Sequence, residues 1–166
     1  KRIIGCCFGH QLIAYALGGK VDKNPINNGE FILLAETLHW NKEALCRTLR
    51  EKCICEKSVR MLFKEQLQTK VICSHGDSVI KKPEQATLLA SSLSCENEVL
   101  IYGHKYNVIS FQGHPEFEYE YAVKDRIWKA VVEKNKRLSE KSVLAAKESF
   151  ENFDRGEGAD QISFLI

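Results

Sequence analysis

The sequence predicts an α/β domain, and three observations carry the prediction. Short apolar runs of strand character alternate with stretches whose apolar residues recur at helical spacing. No internal repeat or linker interrupts the 166 residues. The composition, 44% hydrophobic and 28% charged, is that of a packed core under a wetted surface. A chain of this length buries roughly two-thirds of the surface its unfolded form exposes, so one domain over 1–166 is expected.

The elements follow in order. Residues 2–6 read as a short buried strand. After a turn with Gly5 and Gly9, Leu12, Ile13, Ala16 and Leu17 recur at helical spacing, and Gly18-Gly19 closes that helix as a C-cap. Residues 21–28 are loop-like, with Pro25 and the turn pair Asn28-Gly29. Residues 31–38 are apolar and strand-compatible, and 42–52 form a helix with Leu45 and Leu49 on one face. Val59, Leu62, Phe63 and Leu67 suggest a further helix or irregular segment. Val71-Ile72-Cys73 is a strand running into Ser74-His75-Gly76-Asp77, and residues 88–91 and 99–102 are further strands. Residues 107–111 form a strand that enters Gln112-Gly113-His114-Pro115-Glu116. Tyr121, Ile127, Trp128, Val131 and Val132 make a helical stripe over 119–136. Val143, Ala146, Phe150 and Phe153 repeat it over 142–153.

The charge balance, 24 basic against 22 acidic residues for a net +2, gives no electrostatic case for a nucleic-acid or membrane-surface partner. No apolar run approaches the roughly 20 residues that span a bilayer. The opening Lys1-Arg2-Ile3-Ile4-Gly5-Cys6-Cys7 departs from a signal peptide at His10 and Gln11. Lacking an initiating Met, the chain opens straight into a strand-like run, as a piece of a longer sequence would. The seven cysteines, at 6, 7, 46, 53, 55, 73 and 95, are odd in number and match no secreted framework, so a reducing cytosol is expected. Cys53 and Cys55 are two apart with no second close pair, which speaks against a structural zinc site; five of the seven read as small buried hydrophobes.

Gly5-Cys6-Cys7-Phe8-Gly9, between a strand and a helix, carries the chemistry. It is the small-X-nucleophile-X-small pattern of a nucleophile elbow with Cys7 in the nucleophile slot. Such a turn is tight and strained, so glycine on both sides avoids side-chain clashes. The helix that follows aims its free N–H groups and positive dipole end at the sulfur, which favours a thiolate. The backbone N–H of Phe8 is suited to hold an oxyanion. Cys6 competes from one residue earlier, without the symmetric glycines, and a buried structural Cys7 is the bland alternative.

A cysteine nucleophile needs a base, and the base an orienting group. The histidines are 10, 39, 75, 104 and 114. His114-Pro115-Glu116 stands out, because residues two apart on an extended segment face the same way. A carboxylate beside His114 fixes the tautomer and stabilises the charged ring. A surface loop with an incidental charge pair is the alternative.

Taken in order, Gly5-Cys6-Cys7-Phe8-Gly9-His10-Gln11, Leu17-Gly18-Gly19, Ser74-His75-Gly76-Asp77-Ser78-Val79 and Phe111-Gln112-Gly113-His114-Pro115-Glu116-Phe117 resemble the class I glutamine amidotransferase domain. The resemblance covers residues 2 to 120. It is nearest to the stand-alone amidotransferase-like proteins, among them gamma-glutamyl peptidases and GMP-synthase-like proteins. The tail from Asn152 to Asp160 resembles their C-terminal ends.

The resemblance implies a flavodoxin-like fold, largely a parallel sheet flanked by helices. It also implies that the first strand, the first helices and a glycine loop giving a second oxyanion donor lie upstream of Lys1, so that residues 1–166 are expected as a single, partial domain. By position, Cys7 matches the nucleophile, His114 the base, Glu116 the third member and Phe8 the oxyanion donor. Gln11 matches a glutamine contact, and Ser74, Gly76 and Asp77 match the segment holding the amino-acid end of the substrate. The bland alternative for Asp77 is an Asx turn beside Gly76. The implied reaction is hydrolysis of the glutamine side-chain amide, or a gamma-glutamyl amide, through a thioester, needing no metal or organic cofactor. A synthetase partner would lie on another chain.

Two other readings compete: a catalytically silent binding or partner domain, and a redox sensor using a strained Cys6–Cys7 disulfide. Other motifs fail. Gly18-Gly19-Lys20 is followed by Val21 and has Ala14 at the upstream glycine position, so it is not a phosphate loop. Lys134-Asn135-Lys136-Arg137 reads as a solvated helix end.

Overall fold

The computed structural model describes residues 1–51, 69–103, 107–151 and 153. The expected segment at Val59, Leu62, Phe63 and Leu67, with Cys53, Cys55, His104 and the tail beyond Phe153, lies outside them.

The fold is α/β, as expected. Strand β1 (Ile3–Cys6) leads into helix α1 (Phe8–Ala16), then β2 (Lys20–Lys23), β3 (Ile32–Thr37), β4 (His39–Trp40) and α2 (Lys42–Glu51). After the undescribed stretch come β5 (Lys70–His75), β6 (Asp77–Lys81), β7 (Ala86–Ser91), β8 (Val99–Tyr102) and β9 (Val108–Phe111). A third helix, α3, is wound with wide turns over Tyr119–Ile127 and Lys129–Lys134, and α4 spans Glu140–Glu151.

The sheet is mixed rather than largely parallel. Its strand order is β1-β9-β8-β7-β4, with two further ladders, β2-β6 and β3-β5. Among the described residues β1 and β9 make the parallel pair, Ile3 opposite Val108 through Cys6 opposite Phe111. The other pairings are antiparallel: β7–β8 and β8–β9 join consecutive strands through short connections, as hairpins do, while β2–β6, β3–β5 and β4–β7 bring together strands distant in sequence. Residues 21–28, expected as loop, begin inside β2, which pairs with β6.

Three clusters form the core. Leu45 and Leu49 of α2 pack with Val71, Cys73, Leu89, Val99, Ile101 and Phe111. The stripes of α3 and α4 meet on β3 and β5 through Leu33, Ile72, Val123, Val131, Ala146 and Phe150. Ala14 of α1 packs with Val79, Ala86, Leu100 and Tyr102. Of the expected apolar stripe on α1, Ile13 packs against this cluster, while Leu12, Ala16 and Leu17 are exposed and His10 and Ala14 are buried. Gly18 closes α1 at φ 90°, with the Gly19 N–H donating to the Ala14 carbonyl at 2.8 Å, as its sequence predicts. The Lys134–Arg137 end is exposed, and the Arg137 guanidinium lies 5.4 Å from the centre of the Phe31 ring.

Candidate active site

Two neighbouring parallel strands deliver the principal groups to one end of the sheet. Past the C-terminal end of β1 stands Cys7, and past that of β9 stand Gln112, Gly113 and His114. Ligand sites in open α/β sheets gather at such carboxyl ends. The Cys7 N–H donates to the Phe111 carbonyl at 2.8 Å, which carries the β1–β9 ladder one residue into the turn.

Cys7 sits at φ 49°, ψ −104°, a backbone setting that costs a non-glycine residue energy. It caps α1, whose first internal bond runs from the Gln11 N–H to the Cys7 carbonyl at 3.1 Å. As the first residue of α1, Phe8 has no acceptor for its N–H within the helix. Its side chain is exposed. Only one of the two framing glycines is sterically required. A Cβ on Gly5 would come within 2.9 Å of the Gly9 backbone and 2.6 Å of Ile13 Cδ1, whereas a Cβ on Gly9 would meet nothing. The turn is tight because the backbone at residue 9 folds back over residue 5.

His114 is held from several sides. Its backbone N–H donates to the Ile72 carbonyl at 2.8 Å, docking the loop after β9 onto β5. Its ring lies flat on Phe117, 3.9 Å between centroids and 4° from parallel. Nδ1 lies 2.8 Å from Glu116 Oε1. Burial would lower the His114 pKa, but hydrogen bonding to Cys7 and to Glu116, with their charges, outweighs it and raises the value to about 9. Burial likewise opposes ionisation of Glu116, yet its bond to His114 leads the influences that hold it below the usual carboxylate range.

The environment separates the two adjacent thiols. Burial first, and then the charge of Glu116, push Cys6 up to about 12, so it stays a neutral thiol facing that carboxylate. Cys7 instead acts with Glu116 to raise the pKa of His114. The other described histidines are poorly suited as its base. His10 is buried against Ser110 Oγ at 2.7 Å and pushed by burial down to about 3. His75 is driven by burial down to about 4, and His39 lies on β4.

Gln11, Ser74, Gly76 and Asp77 also converge on this end. Gln11 Nε2 donates to the Asp77 carbonyl at 2.8 Å and to Gln112 Oε1 at 3.2 Å. The Ser74 carbonyl lies 3.9 Å from Cys7 Sγ. The Asp77 carboxylate pairs with Lys23 Nζ at 3.0 Å, a half-exposed ion pair of small energetic weight. Gly76 is not sterically compelled, since an added Cβ would make ordinary contact with Phe31.

Sequence reasoning missed two participants. Gln112, fully buried, points Nε2 toward Cys7 Sγ at 3.9 Å. Its place in the Phe111–Phe117 motif was the available signal. Glu98, also fully buried, accepts the Gly113 N–H at 2.6 Å. Nothing in Cys95-Glu96-Asn97-Glu98-Val99 distinguishes it from a surface charge. Among the described residues, Cys73, His75 and Glu98 bring three ligand-type atoms within 4.8 Å of one another. Glu98 Oε1 is already held by the Gly113 N–H, and Oε2 lies 3.4 Å from Ser92 Oγ.

Residues 1–130 match the family model described as glutamine amidotransferase class-I. The chain belongs to the class I glutamine amidotransferase family. It is similar to gamma-glutamyl peptidase 3 of Arabidopsis thaliana, 31% identical over 129 residues that cover 76% of this chain and 46% of the relative. It is also similar to the glutamine-hydrolyzing GMP synthase of Wolbachia sp. subsp. Brugia malayi, 27% identical over 164 residues that cover 87% of this chain and 28% of that protein. The chain therefore spans about half, or less, of the length of these curated relatives. The solved structure of a glutamine amidotransferase from Thermotoga maritima shares the fold with a TM-score of 0.57 at 21% identity, covering 98% of this chain and 59% of that one. This class I amidotransferase chain thus shares the fold of that structure.

Proposed function

We propose that this chain is a single amidotransferase domain that hydrolyses the glutamine side-chain amide, or a gamma-glutamyl amide, with Cys7, His114 and Glu116 as a catalytic triad. The observation that carries the reading is that the paired strands β1 and β9 bring Cys7, on its strained turn, and His114, bonded to Glu116, to one end of the sheet.

That geometry supports an acyl transfer through a thioester. With Nδ1–H given to Glu116, Nε2 is the nitrogen left for Cys7. The Cys7 sulfur attacks the amide carbon, and the Phe8 N–H stabilises the oxyanion at the start of α1. His114 protonates the departing ammonia or amine as the C–N bond breaks, leaving a gamma-glutamyl thioester. Water, deprotonated by the same ring, attacks that carbonyl and releases glutamate and the Cys7 thiol. Gln11, Ser74, Gly76 and Asp77 hold the amino-acid end, with the Asp77 carboxylate exchanging Lys23 for the substrate ammonium. A reducing, cytosolic setting suits the described cysteines, all of which are free thiols. A synthetase on another chain would consume the ammonia.

Incubation with a chloroketone analogue of glutamine, followed by mass mapping, tests the assignment. Label confined to Cys7, with ammonia or amine released from the unmodified substrate, is expected. Label on Cys6, or none, refutes it. A reversible Cys6–Cys7 bond would favour the sensor reading instead.

A further inference from the structure

Glu98 immediately precedes β8 and is wholly buried, a setting in which a carboxyl group is rare unless partnered. Its partners lie on the segment that carries His114. The Glu98 carbonyl accepts the Gln112 N–H at 2.8 Å, and its side-chain Oε1 accepts the Gly113 N–H at 2.6 Å. Both peptide groups immediately before His114 are thus tied to one residue. The fit at Gly113 leaves little room for drift. A Cβ there would lie 2.8 Å from Glu98 Oε1, 2.9 Å from Val71 Cγ2 and 3.3 Å from the Ile72 carbonyl. The Ile72 carbonyl is also the acceptor for the His114 N–H.

We propose that Glu98 is a positioning residue, whose buried side-chain oxygen fixes the Gly113 peptide and through it the seating of the His114 ring between Cys7 and Glu116. The proposal rests on the reading of His114 as the base. It concerns an acceptor oxygen rather than a charge. Burial pushes the Glu98 carboxyl up to about 7, the Gly113 N–H opposing and nearby Glu36 reinforcing the rise. The Cys73 and Cys95 thiols and the Ser92 hydroxyl also face this carboxyl. In either protonation state an oxygen remains for the Gly113 N–H. Removing it leaves a buried donor without a partner, which the segment can relieve only by moving. A displacement of the base by about 1 Å is enough to cost on the order of 100-fold in rate.

The test compares the full chain with Glu98→Gln, which keeps an acceptor, and Glu98→Leu, which keeps comparable bulk without one. The first readout is the His114 imidazole titration by NMR. A ring seated between Cys7 and Glu116 titrates near 9, and that value should persist in Glu98→Gln. In Glu98→Leu it should fall by about one unit or more, because burial remains while the Cys7 contact is lost. The second is turnover of glutamine or a gamma-glutamyl amide. Glu98→Leu should lose about 100-fold in kcat with KM changed less than about threefold, and Glu98→Gln should recover most of it. Thermal unfolding of each variant identifies simple loss of fold. If Glu98→Leu does not fold, Glu98→Asp, whose carboxyl is withdrawn by one methylene, replaces it with the same expectation in smaller degree. A folded Glu98→Leu with the wild-type His114 titration overturns the proposal, as does a Glu98→Gln equally impaired. If the wild type shows no turnover, the hydrolase reading alone fails, because the titration does not depend on catalysis.

Discussion

Replacing Cys7 with alanine should discharge His114 at alkaline pH. In the intact chain burial works against the imidazolium, and the hydrogen bonds and charges of Cys7 and Glu116 prevail, lifting its pKa from 6.5 to about 9. That rise corresponds to roughly 3 kcal/mol in favour of the charged ring. With Cys7 gone, Glu116 alone opposes burial, and the pKa should drop by about one unit or more. The folded value lies above the unfolded one. His114 therefore contributes its full stability below pH 6.5 and loses it as pH rises through about 9. Urea unfolding of wild type and His114→Gln from pH 6 to 10 should show the two curves converging over that window. NMR titration of the His114 ring in wild type and Cys7→Ala measures the pKa change directly. Identical titrations, or a wild-type value at or below 6.5, would refute the pairing of Cys7 with His114.

Further outcomes follow from the same geometry. Cys7→Ser should abolish amide hydrolysis while Cys6→Ser keeps most of it, since a serine hydroxyl can still face Glu116; equal activity of the two would remove Cys7 as nucleophile. Glu116→Gln should impair turnover less than His114→Ala, because one group orients the proton carrier and the other is the carrier. Gly5→Ala should cost about 1–3 kcal/mol in thermal stability and slow Cys7 alkylation, because its Cβ would press on the Gly9 backbone, whereas Gly9→Ala should be milder. Asp77→Ala should raise KM for glutamine far more than it lowers kcat; a change in kcat alone would place Asp77 in the chemistry.

The strands and helices were largely legible where apolar period and turn chemistry agreed. β8 falls on Val99–Tyr102 as read, α2 begins at Lys42 as read and is helical through Glu51, the last described residue there, and Gly18 closes α1. Pairing direction was not legible. An apolar run such as Leu100-Ile101-Tyr102 looks the same beside a parallel or an antiparallel neighbour, and the resemblance supplied a more parallel sheet than the described strands form. The α1 stripe was misread in part, for a related reason. Leu12 and Leu17 are apolar but exposed, while His10, polar in sequence, fills the interior because Ser110 partners it. At the site, Cys7, His114 and Glu116 stand in patterned motifs with short local spacing. Glu98 works through a tertiary contact to Gly113, fifteen residues away, and leaves no local mark.

The parallel seam between β1 and β9 joins the beginning of the chain to a strand more than a hundred residues later, Ile3 opposite Val108. On a ribosome adding about 5–20 residues per second, Cys7 is made several seconds or more before His114 exists. Through that interval its thiol has neither the imidazole nor the final strand ladder. The long-range seam is also among the contacts whose closure entropy slows folding most. On the proposed reading of Cys7 as nucleophile, its pairing with His114 is therefore a late event in biogenesis: nascent or half-folded chains carry an ordinary unpaired thiol, and paired reactivity reports that the sheet has closed.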